Sequence, residues 1–111
     1  MDTTFPKSER LCGKKAVEAL FERGKVFQAG CLRCRYLLRE DTEPSRVVIS
    51  VPKRHFKRAV KRNLLKRRIR ESYRRQKPGG GADLLFIYTS REVLPYETIY
   101  DDMTRVLEAL P

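Results

Sequence analysis

Apolar residues recur along this chain in two rhythms, one of period near 3.6 and one of period two. In residues 12–23, Ala16, Val17, Leu20 and Phe21 fall on one side in the i, i+3, i+4 manner, which predicts a short amphipathic helix with Gly24 just past its end. Residues 26–28 read as a short strand. Residues 31–39 read as a longer one, in which Arg33 and Arg35 alternate with Leu32, Cys34 and Tyr36, so that one face is buried and the other basic. After turn residues 41–45, the run RVVISV at 46–51 is β-branched and almost continuously apolar, and it reads as a central strand. DLLFIYT at 83–89 reads as another buried strand. Pro95 opens a last helix, where Ile99, Met103, Val106, Leu107 and Leu110 form a heptad-like core face. Residues 1–10 are polar around Phe5 and Pro6 and read as an extended arm. Gly79, Gly80 and Gly81 form a joint, too short for a phosphate-binding loop and without its Lys and Ser/Thr.

Between the two apolar strands the pattern changes. PKRHFKRAVKRNLLKRRIRESYRRQKP, residues 52–78, has neither Gly nor an internal Pro, and its Arg, Lys, Leu and Ala favour one helix of about five to six turns from residue 56 or 57 to 76. Leu65, Ile69 and Tyr73 make its i, i+4, i+8 buried stripe, with Ala59 beside it; Arg58, Arg62, Lys66 and Arg70 run along the flank. The stretch holds thirteen Lys and Arg against the single acid Glu71, whereas the whole chain has a net charge of +11, so the remainder is close to neutral. A solvated helix face normally mixes both signs, and like charges four apart repel by a few tenths of a kcal/mol per pair. Concentrating the cations on one element therefore points to a polyanion partner, RNA or DNA.

The order helix, strands, helix, strand, helix predicts an α+β fold, a split α/β sandwich with a small mixed sheet, in a single domain over residues 1–111. The strand at 46–51, the basic helix and the strand at 83–89 form a βαβ unit. Such a crossover is right-handed in about 98% of cases on general grounds.

The segment from Lys57 to Glu71, KRAVKRNLLKRRIRE, resembles the Arg/Asn/Arg signature helix of the bacterial ribonuclease P protein subunit, roughly A-V-x-R-N-R-x-K-R-x-x-R-E. Ala59, Val60, Arg62, Asn63, Lys66, Arg67, Arg70 and Glu71 match, and Leu64 stands where the signature has its second Arg. The N-terminal part is similar to the family's L-x5-F-x3-F-x2-G pattern, with Val17 and Phe21 at the two aromatic positions and Gly24 at the end. The resemblance implies a left-handed βαβ crossover in place of the usual one. It also implies a ribonucleoprotein that removes the 5′ leader of precursor tRNA, an endonuclease in which Mg2+ serves hydrolysis by the RNA subunit and this chain is the non-catalytic protein subunit. Two RNA-binding surfaces follow. Arg58, Arg62, Asn63, Lys66, Arg67 and Arg70, with Lys53 and Arg54, suit phosphates of the catalytic RNA. Val17, Phe21, Arg33, Arg35 and Tyr36 suit the single-stranded leader, because aromatic platforms along a basic groove hold an extended strand.

The remaining composition narrows the alternatives. Charged residues make up 35% of the chain, above the average of about 25%, and agree with a polyanion-binding surface. No apolar run reaches the ~18 residues of a membrane span, no signal-peptide core is present, and three cysteines are too few for a disulfide framework, so the expected location is the cytoplasm. Cys31 and Cys34 form a lone C-x-x-C with only Cys12 and His55 as distant companions, and no protein-bound metal is expected. One His, and acids lying in helix surfaces and turns, argue against catalysis by the chain alone; the adjacent Asp101 and Asp102 read as a helix-start pair. The expected partners are the catalytic RNA and the precursor leader, bound by a monomer. The alternative is a ribosomal or ribosome-assembly protein, which shares the charge and size but not the ordered signature.

Overall fold

A computed structural model describes residues 14–38, 45–76 and 81–110, with side chains from residue 18 onward in the first segment. The arm at 1–10, the turn at 41–44, Cys12, Gly79 and Gly80 lie outside these residues. The elements run α1 (Lys14–Arg23), β1 (Lys25–Ala29), β2 (Leu32–Leu38), β3 (Arg46–Ser50), α2 (Ala59–Gln76), β4 (Ala82–Tyr88) and α3 (Tyr96–Ala109). Four strands form one mixed sheet in the order β1-β2-β4-β3, antiparallel except for the parallel β3–β4 pair that α2 connects.

The sheet is covered on both faces, by different helices. Leu32, Cys34 and Tyr36 pair across strands with Tyr88, Phe86 and Leu84, and this face meets Leu65, Ile69 and Tyr73 of α2 and Ile99, Met103 and Val106 of α3 in the main core. Tyr73 packs on Phe86 with ring centroids 5.7 Å apart. On the opposite face Leu20 of α1 and Leu85 are buried together, with Leu37, Val48 and Ile87 around them. Two hydrophobic clusters, one per face, thus hold α1 away from α2 and α3.

The strand at 46–50 is not central, as its apolar run suggested; it is an edge strand, and β4 occupies the middle between β2 and β3. The run reports cover on both faces rather than neighbours on both edges: Val47 and Ile49 join the main core while Val48 joins the Leu20 cluster. Helix α2 starts at Ala59, later than the composition suggested, because residues 52–58 form a turn in which the Pro52 carbonyl accepts the N–H groups of His55 at 3.2 Å and Phe56 at 3.3 Å. Phe56 from that turn is buried against Tyr88. Ala59, expected beside the buried stripe, is exposed, and Ser72 is buried there instead, its hydroxyl bonded to the Ile69 carbonyl at 2.8 Å.

Two glycines are dictated by contact. Gly30 begins the two-residue β1–β2 turn with φ +56°, the conformation a two-residue hairpin of this kind requires at its first central position. A Cβ there would lie 2.3 Å from Asp102 Oδ2. Gly24 follows the end of α1, as expected, but without a positive φ; a Cβ on it would lie 2.3 Å from the Leu20 carbonyl oxygen and 3.2 Å from that of Tyr36, so the end of α1 is pressed onto β2.

Candidate nucleic-acid interface

Helix α2 presents its cations in two environments. Asn63 and Arg67 are exposed, as are Lys53, Arg54 and Arg58 in the preceding turn, while Lys66 and Arg70 are half-buried beside the core stripe. Arg62 is held inside the chain: its Nη1 donates to the carbonyls of Phe56 at 2.7 Å and Lys57 at 2.9 Å, tying the turn to the helix. Arg68 donates through Nη1 to the Leu94 carbonyl and ties α2 to the segment before α3. Glu71, the one acid of the stretch, receives Arg74 Nη2 at 2.6 Å and Arg75 Nε at 3.0 Å, and these guanidinium hydrogen bonds hold its carboxyl down to about 2. Leu64 is partly buried but belongs to neither core cluster.

The second surface is the α1 face of the sheet. Arg33 and Arg35 point there, opposite Gln28 and Val26 of β1 in register. The Arg35 guanidinium carbon lies 4.7 Å from the centroid of the Phe21 ring, and Phe21 is 53% exposed, so helix and strand meet in a cation–π pair open to solvent. Arg35 Nε is buried without a partner. Gln28 Oε1 accepts from Arg33 Nε at 3.3 Å and Nη2 at 3.2 Å, which orients that guanidinium along the strand pair. Phe21, Arg33 and Arg35 are therefore brought together. Tyr36 is not: it has the opposite strand parity and packs against the main core, so it does not line this surface. Val17 lies in α1 one turn before Phe21, and its side chain is outside the described residues. Gln28 went unnoticed in the sequence because only the β1–β2 register reveals that it faces Arg33.

The cysteines and the acidic pair take structural places. Cys34 faces the main core and Cys31 closes the hairpin turn, both buried, and burial pushes both thiols up to about 12. Asp102 is not at the start of α3 but within its buried stripe, where Oδ2 accepts the Cys31 N–H at 2.9 Å. His55 is half-buried, with Nδ1 lacking a partner.

A family model described as Ribonuclease P matches residues 5–110. Among curated relatives, the ribonuclease P protein component of Porphyromonas gingivalis is 42% identical over 73 residues, 64% of this chain and 53% of the relative, so the matched part spans about half of that protein's length. The corresponding component of Picosynechococcus is 32% identical over 107 residues, 93% of this chain and 90% of the relative. Among solved structures, the Thermotoga maritima RNase P protein superposes with a TM-score of 0.81 at 24% identity, covering 93% of this chain and 98% of that one. The Staphylococcus aureus protein gives 0.80 at 21% identity, covering 92% and 94%.

Proposed function

Because the chain belongs to the ribonuclease P protein family, we propose that it is the RNA-binding protein subunit of a ribonuclease P ribonucleoprotein in the cytoplasm and supports removal of the 5′ leader from precursor tRNA. The observation that carries this reading is the separation of two basic surfaces onto opposite faces of one sheet: the cations of α2 on the side of the main core, and Phe21, Arg33 and Arg35 on the side of α1. One protein can then hold two RNA elements at once. The α2 surface binds phosphates of the catalytic RNA through Arg58, Lys66, Arg67 and Arg70, with Lys53, Arg54 and Asn63. Arg62 serves this surface by fixing the turn that carries Lys53 and Arg54. The cleft takes the single-stranded leader, a base stacking on the Phe21 and Arg35 pair and phosphates following Arg33. No group of three or more His, Cys, Asp or Glu side chains comes together to hold a metal among the described residues. We assign Mg2+-dependent hydrolysis to the RNA subunit, and to this chain the tasks of screening phosphates and positioning the leader.

Cleavage of precursor tRNA by a bacterial ribonuclease P RNA at low Mg2+, with and without this protein, tests the reading. Stimulation is expected, and its absence would refute the proposal. The cleft is tested separately with Phe21→Ala and Arg35→Ala. Each should weaken binding of leader-bearing precursor to the reconstituted complex by about tenfold, the worth of one stacked base, and leave mature tRNA nearly unaffected. Equal losses for precursor and mature tRNA would remove the cleft from the mechanism.

A further inference from the structure

Val60 is 78% exposed, the most exposed of the large hydrophobic side chains among the described residues, yet it stands in the first turn of the most basic element. Leu64 follows one turn later on the same side of α2 and contributes to neither core cluster. On the helix the pair is bordered by Lys61 and Arg67, both exposed. A single exposed valine would be unremarkable, but an i, i+4 apolar ridge framed by cations has a chemistry of its own. The frame attracts a phosphate chain, and between successive phosphates an RNA strand offers ribose edges and the faces of unpaired bases, which an aliphatic ridge can cover. We infer that Val60 and Leu64 form an apolar contact site for an unpaired nucleotide of the RNA bound by α2. The inference rests on the RNA-binding function proposed above and adds to it a contact without charge.

That distinction supplies the test. Loss of a phosphate contact weakens binding and makes the salt dependence shallower by about one unit, because a counterion is no longer released, whereas loss of an uncharged contact lowers affinity by the same factor at every salt concentration. Affinity for a bacterial ribonuclease P RNA should be measured over a salt series for the full chain, for Val60→Ala/Leu64→Ala and for Lys66→Ala, with thermal melts of each. Alanine favours helix, so the double variant should keep its melting temperature. It is expected to bind about five- to tenfold more weakly with an unchanged slope, while Val60→Ile/Leu64→Met retains affinity. Unchanged affinity in the double variant, or a loss accompanied by a shallower slope, overturns the inference. So does binding of the full chain to vesicles containing anionic lipid that the double variant loses while its RNA affinity stays intact, since the ridge would then belong to a membrane surface. If the folded wild-type protein shows no salt-dependent RNA binding, the proposed function fails first and is recognised by that curve alone.

Discussion

Asp102 sits within an otherwise apolar stripe of α3, and its carboxylate is the buried acceptor for the backbone N–H of Cys31, the second residue of the β1–β2 turn. Asp102→Ala removes the acceptor and leaves the Cys31 N–H buried and unpaired, which costs about 1–3 kcal/mol. Gly30→Ala should cost more, because it places a Cβ 2.3 Å from Oδ2 at a φ of +56°. Urea unfolding of each variant and of the pair checks this; the double variant should lose less than the two single losses together, since the clash disappears with the carboxylate. At this scale the sequence showed best what is periodic. Leu65, Ile69, Tyr73, Ile99, Met103 and Val106 are all buried where the helical spacing put them. Residues whose meaning depends on a distant partner were hidden. Asp102 reads as a helix-start acid, and the sequence singles out neither Arg68 nor Gln28, because Cys31, Leu94 and Arg33 are their partners only after folding. Tyr36 alternates with Arg35 along β2, and that parity alone puts it on the main-core face rather than beside Phe21.

Among the elements, α2 combines like-charge repulsion with one compensating cluster at its C-terminal end. Glu71, bridged by Arg74 and Arg75, has a folded pKa of about 2 against an ordinary value of 4.5. A depressed carboxyl stabilises the fold fully above the ordinary value and loses that contribution as pH falls from about 4.5 to about 2. Both guanidinium groups are solvent-exposed, so screening leaves the pairs only a small contribution. Glu71→Gln should therefore lower the melting temperature slightly at neutral pH and flatten its decline over that acid window, as thermal melts in a pH series would show. All seven elements were foreseen to within a few residues. Their ends were less legible, because the start of α2 is set by hydrogen bonds from Arg62 to the preceding turn and the glycine after α1 is required by its approach to β2.

For the whole molecule, the net charge of +11 is gathered largely on one element, so binding should depend steeply on ionic strength. If about six phosphates are neutralised, the log–log slope of affinity against salt should be about −4 to −5, and filter binding or fluorescence titration would check it. A slope near zero would remove α2 from the interface. The sheet order was the least legible level: an apolar run such as 46–50 reports how many faces are covered, and edge or centre is decided by which strand returns beside it. That strand is β4, sixth of the seven elements yet paired on both sides. During synthesis the chain emerges from its N-terminal end. Helix α2, with its cations and its stripe of Leu65, Ile69 and Tyr73, therefore leaves the ribosome before the strand that completes the core beneath it. Ribosome-stalled chains ending at Gln76 should be digested by protease as fast as unfolded polypeptide, and chains that have released Leu110 should resist. The newborn protein is a polycation before it is a fold, beside the RNA of the ribosome that makes it.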